Sequence, residues 1–371
     1  MIIMDIQIDN FFAFHNFHMN MSYPKKIVDS FIEDEFLKER ENFRYKKVNI
    51  LMGGNATGKT SLGRMLMAVC NFIQRKESIH LIELICDKRK EATVTIDFVG
   101  EKCKMYRVDI KVLLGLNDTN RNKVGVCVRT VDIGKKDKYE TCAEKLENIP
   151  LLFKRDYAEE LEKIEPLGWM FTYPSDSSGK VIDYPASPGF INILNHTLRA
   201  LDPAIERVEK SREVDNTYIV HMKSGDVIIQ DGEVIKSNVL SSGTKAGIDV
   251  ARLIAAIYAG ECGFYYCDEK FSYIHNEIEK AFLTIMINGL RDDEQLFFTT
   301  HNSDILDLPL PKHSYTFLKK DIYDKSQPIK CVYASDYLKR NTDSVRNAVD
   351  NDLFSVTPNI ELIYDIANEK K

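Results

Sequence analysis

Apolar and polar positions along the chain follow two rhythms. Residues 4–21 alternate in the manner of a strand, a turn and a second strand. Val48–Met52 (VNILM) is a short apolar run that ends abruptly in Gly53-Gly54, the pattern of a buried strand feeding a loop. Leu62, Met65, Leu66, Val69, Phe72 and Ile73 then recur at three- and four-residue spacing without a proline, which predicts a helix over Ser61–Arg75 with one buried face. Strand rhythm returns in Thr93–Val99, Met105–Val112 and Val124–Val131, followed by a charged helical stretch around Asp156–Lys163. Trp169–Phe190, with its prolines and serines, reads as an irregular loop or sub-lobe boundary, and Tyr218–Val239 reads as a small antiparallel meander with turns at Ser224-Gly225-Asp226 and Asp231-Gly232. Further on, Ala246–Tyr258 has helical spacing, and Phe264–Cys267 and Gln295–Thr300 are short apolar strands.

Composition narrows the class. With 371 residues, 44% hydrophobic and 29% charged, the chain can bury a substantial core in two or three lobes. Its 50 Lys+Arg against 56 Asp+Glu leave a formal charge of -6, so net charge does not support DNA binding, although a local basic face is compatible with that sum. The eight cysteines are scattered with no CxxC pair, as expected of free thiols in a reducing compartment. No basic leader and no run of about 18 apolar residues is present. A cytoplasmic protein that does not engage a membrane is expected.

Four pieces carry the chemistry. Gly53-Gly54-Asn55-Ala56-Thr57-Gly58-Lys59-Thr60, with Ser61 following, matches G-x-x-x-x-G-K-[ST] between a buried strand and a helix start. In that context the glycines let backbone N–H groups turn toward phosphates, Lys59 reaches the β- and γ-phosphates, and the Thr60 hydroxyl ligates Mg²⁺. Phe264–Glu269 (FYYCDE) is an apolar strand ending in two carboxylates, one (Asp268) suited to hold Mg²⁺ and one (Glu269) to act as general base on water. Ser241-Ser242-Gly243 stands at a helix start, an anion-ready geometry that also serves as an ordinary N-cap. His301 follows an apolar strand, on the edge where α/β sheets bind ligands.

In this order the four pieces resemble the ABC-type ATPase heads of the SMC, RecF and OLD-like group, and specifically the AAA-family ABC-like ATPases of bacterial antiphage defence systems. The run Asp5–Phe11 and the stretch Leu240-Ser241-Ser242-Gly243-Thr244-Lys245 carry the resemblance further. It implies an α/β P-loop NTPase of the ABC-ATPase head type with an inserted α+β lobe. Residues 1–78 and 236–320 would form the two halves of the core, 79–235 the inserted lobe and 321–371 a C-terminal extension. It also implies ATP and Mg²⁺ as cofactors, hydrolysis of ATP to ADP and phosphate, and a homodimer or higher homo-oligomer in which Ser241, Ser242 and Gly243 of one copy meet the nucleotide held by the other. His301 would sense the γ-phosphate, and Ser272, Ile274 and His275 would couple the two sites. The partner expected is a separate effector protein, a nuclease or toxin.

The sequence departs from the family pattern in three places. No glutamine lies at the usual distance between the P-loop and the signature, since Gln74 is too early and Gln230 too late. His275 is followed by Asn276 rather than proline, and only 70 residues follow His301, too few for a nuclease domain. Long coiled-coil arms lack the sustained heptads they need. A RecF-like DNA-maintenance ATPase is the alternative reading, and it would gather Lys88, Arg89, Lys90, Lys135, Lys136 and Lys138 on one face.

Overall fold

The computed structural model describes all residues except 28–29, 101, 116–122, 174–188, 232, 236–238, 341, 357–362, 365 and 367–371. The turn expected at Gly232, residues 237–238 before the signature, and most of the loop expected between Trp169 and Phe190 lie outside the described residues.

Strands β1 (Ile2–Asp9) and β2 (Phe17–Asn20) form the expected antiparallel pair, and a small hairpin, β3 (Phe36–Leu37) and β4 (Arg40–Arg44), follows. Strand β5 (Val48–Met52) is buried along its whole length because both its faces are covered. It feeds helix α1 (Lys59–Arg75), which starts two residues earlier than the apolar spacing predicted, and its apolar stripe is entirely buried. After the short helix α2 (Ile79–Glu83) come β6 (Ala92–Val99), β7 (Lys104–Leu113) and β8 (Lys123–Asp132), then α3 (Tyr139–Glu147), α4 (Tyr157–Leu161) and β9 (Trp169–Thr172). Helix α5 (Phe190–Leu201) leads into a meander of β10 (Ile205–Lys210), β11 (Thr217–Met222), β12 (Val227–Gln230) and β13 (Glu233–Ile235). The chain closes with α6 (Ser242–Ala259), β14 (Phe264–Asp268), α7 (Asn276–Gly289), β15 (Gln295–Thr299), β16 (Tyr315–Lys320), β17 (Ile329–Tyr333), α8 (Ala334–Tyr337) and α9 (Val345–Asp350).

Two large sheets sandwich α1. The central sheet has the order β17-β16-β5-β15-β14-β9, with β16, β5, β15, β14 and β9 parallel and β17 antiparallel at the edge. The second sheet, β2-β1-β6-β7-β8, is antiparallel throughout. Ile6, Ile8, Val94 and Ile96 from the antiparallel sheet and Phe264, Tyr266 and Phe297 from the central sheet enclose Leu62, Met65, Leu66 and Phe72 of α1 in one core. Each such large side chain removed from water stabilises the fold by about 1.5–3 kcal/mol. Helices α6 and α7 cover the opposite face of the central sheet. Buried Gln295 clasps the two sheets together: Ile3 N donates to its Oε1 (2.8 Å), and its Nε2 donates to Ile3 O (3.1 Å) and Lys46 O (3.0 Å).

This topology corrects the expected division of the chain. Residues 79–235 do not form one inserted lobe, because β6–β8 complete the sheet begun by β1, β9 joins the central sheet beside β14, and α5 with β10–β13 packs as a third unit against α6. Trp169–Thr172, expected as irregular loop, is strand β9; a four-residue run buried at Met170, Phe171 and Thr172 in succession shows no alternation to read. The boundary at residue 320 falls between the hairpin-paired β16 and β17, so the start of the expected C-terminal extension is an edge strand of the central sheet.

Candidate phosphate-binding site

The carboxyl ends of three neighbouring parallel strands, β5, β15 and β14, bring the sequence-predicted residues together. After β5 the chain turns through Gly53 (φ +149°), Ala56 (φ +59°) and Gly58 (φ +103°), and Gly58 stands as the N-terminal cap of α1. Gly53 has no substitute, since a Cβ there would lie 2.5 Å from Leu318 O and 2.8 Å from Thr57 Oγ1. Thr57 Oγ1 closes the loop by donating to Gly54 O (2.8 Å). Asn55 and Ala56 are exposed at its tip, while Thr60 and Ser61 occupy the first turn of α1.

Lys59 is curled back into the loop. Its side chain is only 3% exposed, and Nζ donates to Gly53 O (2.9 Å) and Gly54 O (3.3 Å) and lies 3.3 Å from Glu269 Oε1. Burial pushes its pKa down, and the Glu269 carboxylate opposes that shift. The same Oε1 of Glu269 lies 2.9 Å from His301 Nε2. The hydrogen bond from His301, against burial and with the charge of Lys59, holds the Glu269 carboxyl below its ordinary range. Glu269 sits at φ +42°, a left-handed conformation unusual for a side-chain-bearing residue, and its N–H donates to Thr299 O (3.2 Å) and Oγ1 (3.0 Å). The strained turn is thereby pinned to the neighbouring strand.

Asp268 is fully buried, and burial raises its pKa against the opposing hydroxyls of Thr299 and Thr60. Its Oδ1 accepts from Thr299 Oγ1 (2.6 Å), whereas Oδ2 accepts no hydrogen bond among the described residues. A buried carboxylate oxygen without a partner, close to the Thr60 hydroxyl, fits an oxygen-loving dication such as Mg²⁺.

Ser241, Ser242 and Gly243 lie apart from this cluster. Ser241 caps α6, its Oγ accepting from Thr244 N (3.0 Å), and Ser241 and Ser242 are exposed. A Cβ on Gly243 would stand 2.8 Å from Tyr273 O, so this helix start is packed against the loop that follows Glu269. No hydrogen bond or ion pair joins Ser241–Gly243 to Gly53–Ser61 among the described residues.

Three supporting residues escaped the sequence reading. Tyr266, fully buried on β14, donates its hydroxyl to Lys59 O (2.7 Å) and packs its ring against Gly63. Buried Lys270 donates to Tyr173 O (2.6 Å) and pairs with Asp249, tying the turn after Glu269 to the end of β9 and to α6. Glu279 on α7 accepts from both residues that flank His301. Tyr266 was legible only as an apolar strand position, and nothing in the spacing of Lys270 or Glu279 sets them apart from surface charges.

No protein-family model and no curated protein matches the chain. Among solved structures it is similar to an SMC head bound to the C-winged helix domain of ScpA, with a TM-score of 0.52 and 14% identity over 91% of this chain and 100% of that one. It is likewise similar to an SMC head with an extended coiled coil bound to the C-terminal domain of ScpA derived from Pyrococcus furiosus, with a TM-score of 0.52 and 11% identity over 91% and 98%. The recombination mediator RecF aligns with a TM-score of 0.43 and 10% identity over 89% and 97%. The chain therefore has the mixed α/β fold of the SMC-type ATPase head, and at these identities the likeness speaks for the fold alone.

Proposed function

We propose that this chain is an ATPase whose two copies close around two ATP molecules, and that the closed pair controls a separate effector protein. The observation that carries the reading is the convergence of Lys59, Asp268, Glu269 and His301 at three adjacent strand ends, with Oε1 of Glu269 shared by Lys59 and His301. Mg²⁺, when bound, would neutralise phosphate charge, and Asp268 Oδ2 and the Thr60 hydroxyl are the groups placed to hold it. Lys59 and His301 both contact Oε1 of the Glu269 carboxylate, so the base is engaged. Triphosphate oxygens compete for Lys59, and releasing it frees one side of Glu269 to orient water. His301, 2.9 Å from Glu269 Oε1, would sense the terminal phosphate from the same edge of the sheet.

Ser241 and Ser242 at the start of α6 are exposed and, among the described residues, make no hydrogen bond to Gly53–Ser61 of their own copy, which supports a composite site completed by a second chain. The resemblance to antiphage ATPases makes a nuclease or toxin the expected effector, in the cytoplasm. Among the described residues no helix is long and apolar enough to cross a membrane. The RecF-like alternative would gather two basic clusters on one face, and these stand apart. Lys88–Lys90 precede β6 and Lys135–Lys138 follow β8, at opposite ends of one sheet roughly 25 Å apart by strand rise, and Arg89 and Lys90 are engaged by Asp87.

Light scattering after size exclusion, on wild type and Glu269→Gln with and without Mg-ATP, tests the reading alongside phosphate release. Glu269→Gln should trap an ATP-dependent dimer and lose turnover by about a hundredfold or more, whereas Lys59→Ala should neither bind nor dimerise. A wild-type protein that binds no ATP, or a Glu269→Gln variant that stays monomeric with ATP bound, would overturn it.

A further inference from the structure

The residue that sets His301 in place lies on a different element. Strand β15 ends in Thr299, and the chain then runs Thr300-His301-Asn302 into a short 3-10 turn, Ser303–Asp307. Glu279, in the first turn of α7, is 3% exposed, and its two carboxylate oxygens are divided between the neighbours of His301. Oε1 accepts from Thr300 Oγ1 (2.7 Å) and Oε2 accepts from Asn302 Nδ2 (2.8 Å). Thr300 Oγ1 in turn accepts from Asn302 N (2.9 Å), so both residues beside His301 are held by one buried anion. Removing a carboxylate from water is costly unless its oxygens are engaged, and here both are satisfied by this one tripeptide.

Helix α7 also begins at the loop after Glu269. His275 caps it, with Glu277 N donating to the ring Nδ1 (3.3 Å), and Asn276 Nδ2 donates to Asp304 Oδ2 (2.8 Å) in the turn that follows His301. On its other side Arg346, from α9, donates to Ser303 O (3.0 Å) and lies 3.3 Å from Asp304 and 3.4 Å from Asp307. The segment carrying His301 is thus clamped between α7 and α9.

We propose that Glu279 is a positioning residue: it holds His301 against Glu269, and α7 thereby transmits displacement of the 272–276 loop, exposed apart from buried Ile274, to the base. The consequence for hydrolysis rests on the ATPase reading above; the placement of His301 does not. A second copy pressing on residues 272–276 moves the start of α7, and Glu279 is three residues into that helix. The histidine then follows without any contact between it and the partner.

The experiment compares Glu279→Gln, which keeps volume and one acceptor but sets an amide donor against Asn302, with wild type, His301→Ala and the double variant. Two readouts are taken. In the first, ¹³C-histidine spectra of the nucleotide-free protein report the His301 ring directly, with its signal assigned by loss in His301→Ala. Glu279→Gln should shift that signal, and an unmoved signal overturns the placement role whether or not the protein hydrolyses ATP. In the second, phosphate release is measured against ATP concentration. Glu279→Gln should lower kcat by about tenfold to a hundredfold with KM within about twofold, and should add no further loss in the His301→Ala background. Equal losses in both backgrounds would show that Glu279 acts independently of His301. Absence of turnover in wild type would sink the ATPase reading while the spectra still decide the placement of His301. Should Glu279→Gln fail to fold, Asn302→Ala removes one of the two bonds and should shift the same signal.

Discussion

Helix α1 crosses the central sheet at Gly63, and that contact invites a quantitative test. A Cβ built on Gly63 would lie 2.5 Å from Cε1, 2.9 Å from Cζ and 3.0 Å from Cδ1 of Tyr266. Carbon atoms rest at about 3.5–4.0 Å, so Gly63→Ala demands a retreat of about 1 Å by ring or helix. The ring has nowhere to go: Tyr266 is fully buried, Phe171 and Phe297 stand 5.7 Å and 6.0 Å away centroid to centroid, and its hydroxyl is bonded to Lys59 O. Overpacking of this kind costs about 3 kcal/mol, and the gain in helix propensity from Gly to Ala returns about 1 kcal/mol. A net loss of about 2 kcal/mol is expected. Because Lys59 lies one turn before Gly63, lifting the helix also displaces the phosphate loop, so nucleotide affinity should fall with stability. Urea denaturation and titration with a fluorescent ATP analogue measure the two effects. Tyr266→Leu removes the clashing ring, so the double variant Gly63→Ala/Tyr266→Leu should be more stable than the sum of the single losses predicts. Unchanged or increased stability of Gly63→Ala, with unchanged affinity, would refute the packing argument.

Other perturbations have equally definite outcomes. Lys46 is buried, donates to Asn20 O (3.1 Å), stands 3.5 Å over the Tyr333 ring, and has its pKa pushed down to about 7 by burial. Between that value and the ordinary lysine pKa the unfolded chain binds the extra proton, so this group's contribution to stability rises as pH increases from about 7 to about 10. Urea midpoints of wild type minus those of Lys46→Met should therefore climb over that window, and a flat difference would contradict the buried amine. For Glu269 the shift is downward, so its contribution is fully present above the ordinary glutamate range and is lost as pH falls through its lowered native value; Glu269→Gln should flatten that acid limb of the stability profile. Mixing inactive Lys59→Ala with inactive Ser241→Arg should restore part of the phosphate release, because one of the two composite sites in a mixed dimer is intact, whereas no recovery would place both residues in the same copy's site. Gly53→Ala should abolish ATP binding, measured by the same titration, since the added carbon meets Leu318 O at 2.5 Å and the φ of +149° is strained for alanine.

The phosphate loop was legible because its spacing is dictated by a ligand: the glycines, lysine and threonine must stand at fixed offsets whatever the rest of the chain does. The strands at Phe264–Asp268 and Gln295–Thr299 were legible because apolar runs ending in polar residues have one natural home in a parallel sheet. Strand pairing was not. Ile96 faces Ile6 across about 90 positions, and Trp169 faces Phe264 across about 95, and no local pattern announces a partner so distant. The apparent lobe between residues 79 and 235 was the result: three sets of strands with similar rhythm, each completing a different sheet. Tyr266, Lys270 and Glu279 went unread for a related reason. Their roles depend on which neighbours they meet, and a glutamate two positions from exposed Glu277 looks the same on a line of letters.

The order of the central sheet also governs how the chain is made. Strand β5, which emerges early from the ribosome, pairs with β15, where Val48 meets Leu296, and with β16, where Ile50 meets Tyr315. At about 5–20 residues per second, roughly ten to fifty seconds of synthesis separate the phosphate-loop strand from its flanking strands. During that interval a pentapeptide of four apolar residues and Asn49 waits with both edges unpaired, beside a helix whose buried face has only the antiparallel sheet to cover it. Strand β5 can gain both its sheet neighbours only once residues 295–320 have been made, and expression conditions that slow elongation or withhold chaperones should deplete the folded protein before they touch its assembled activity.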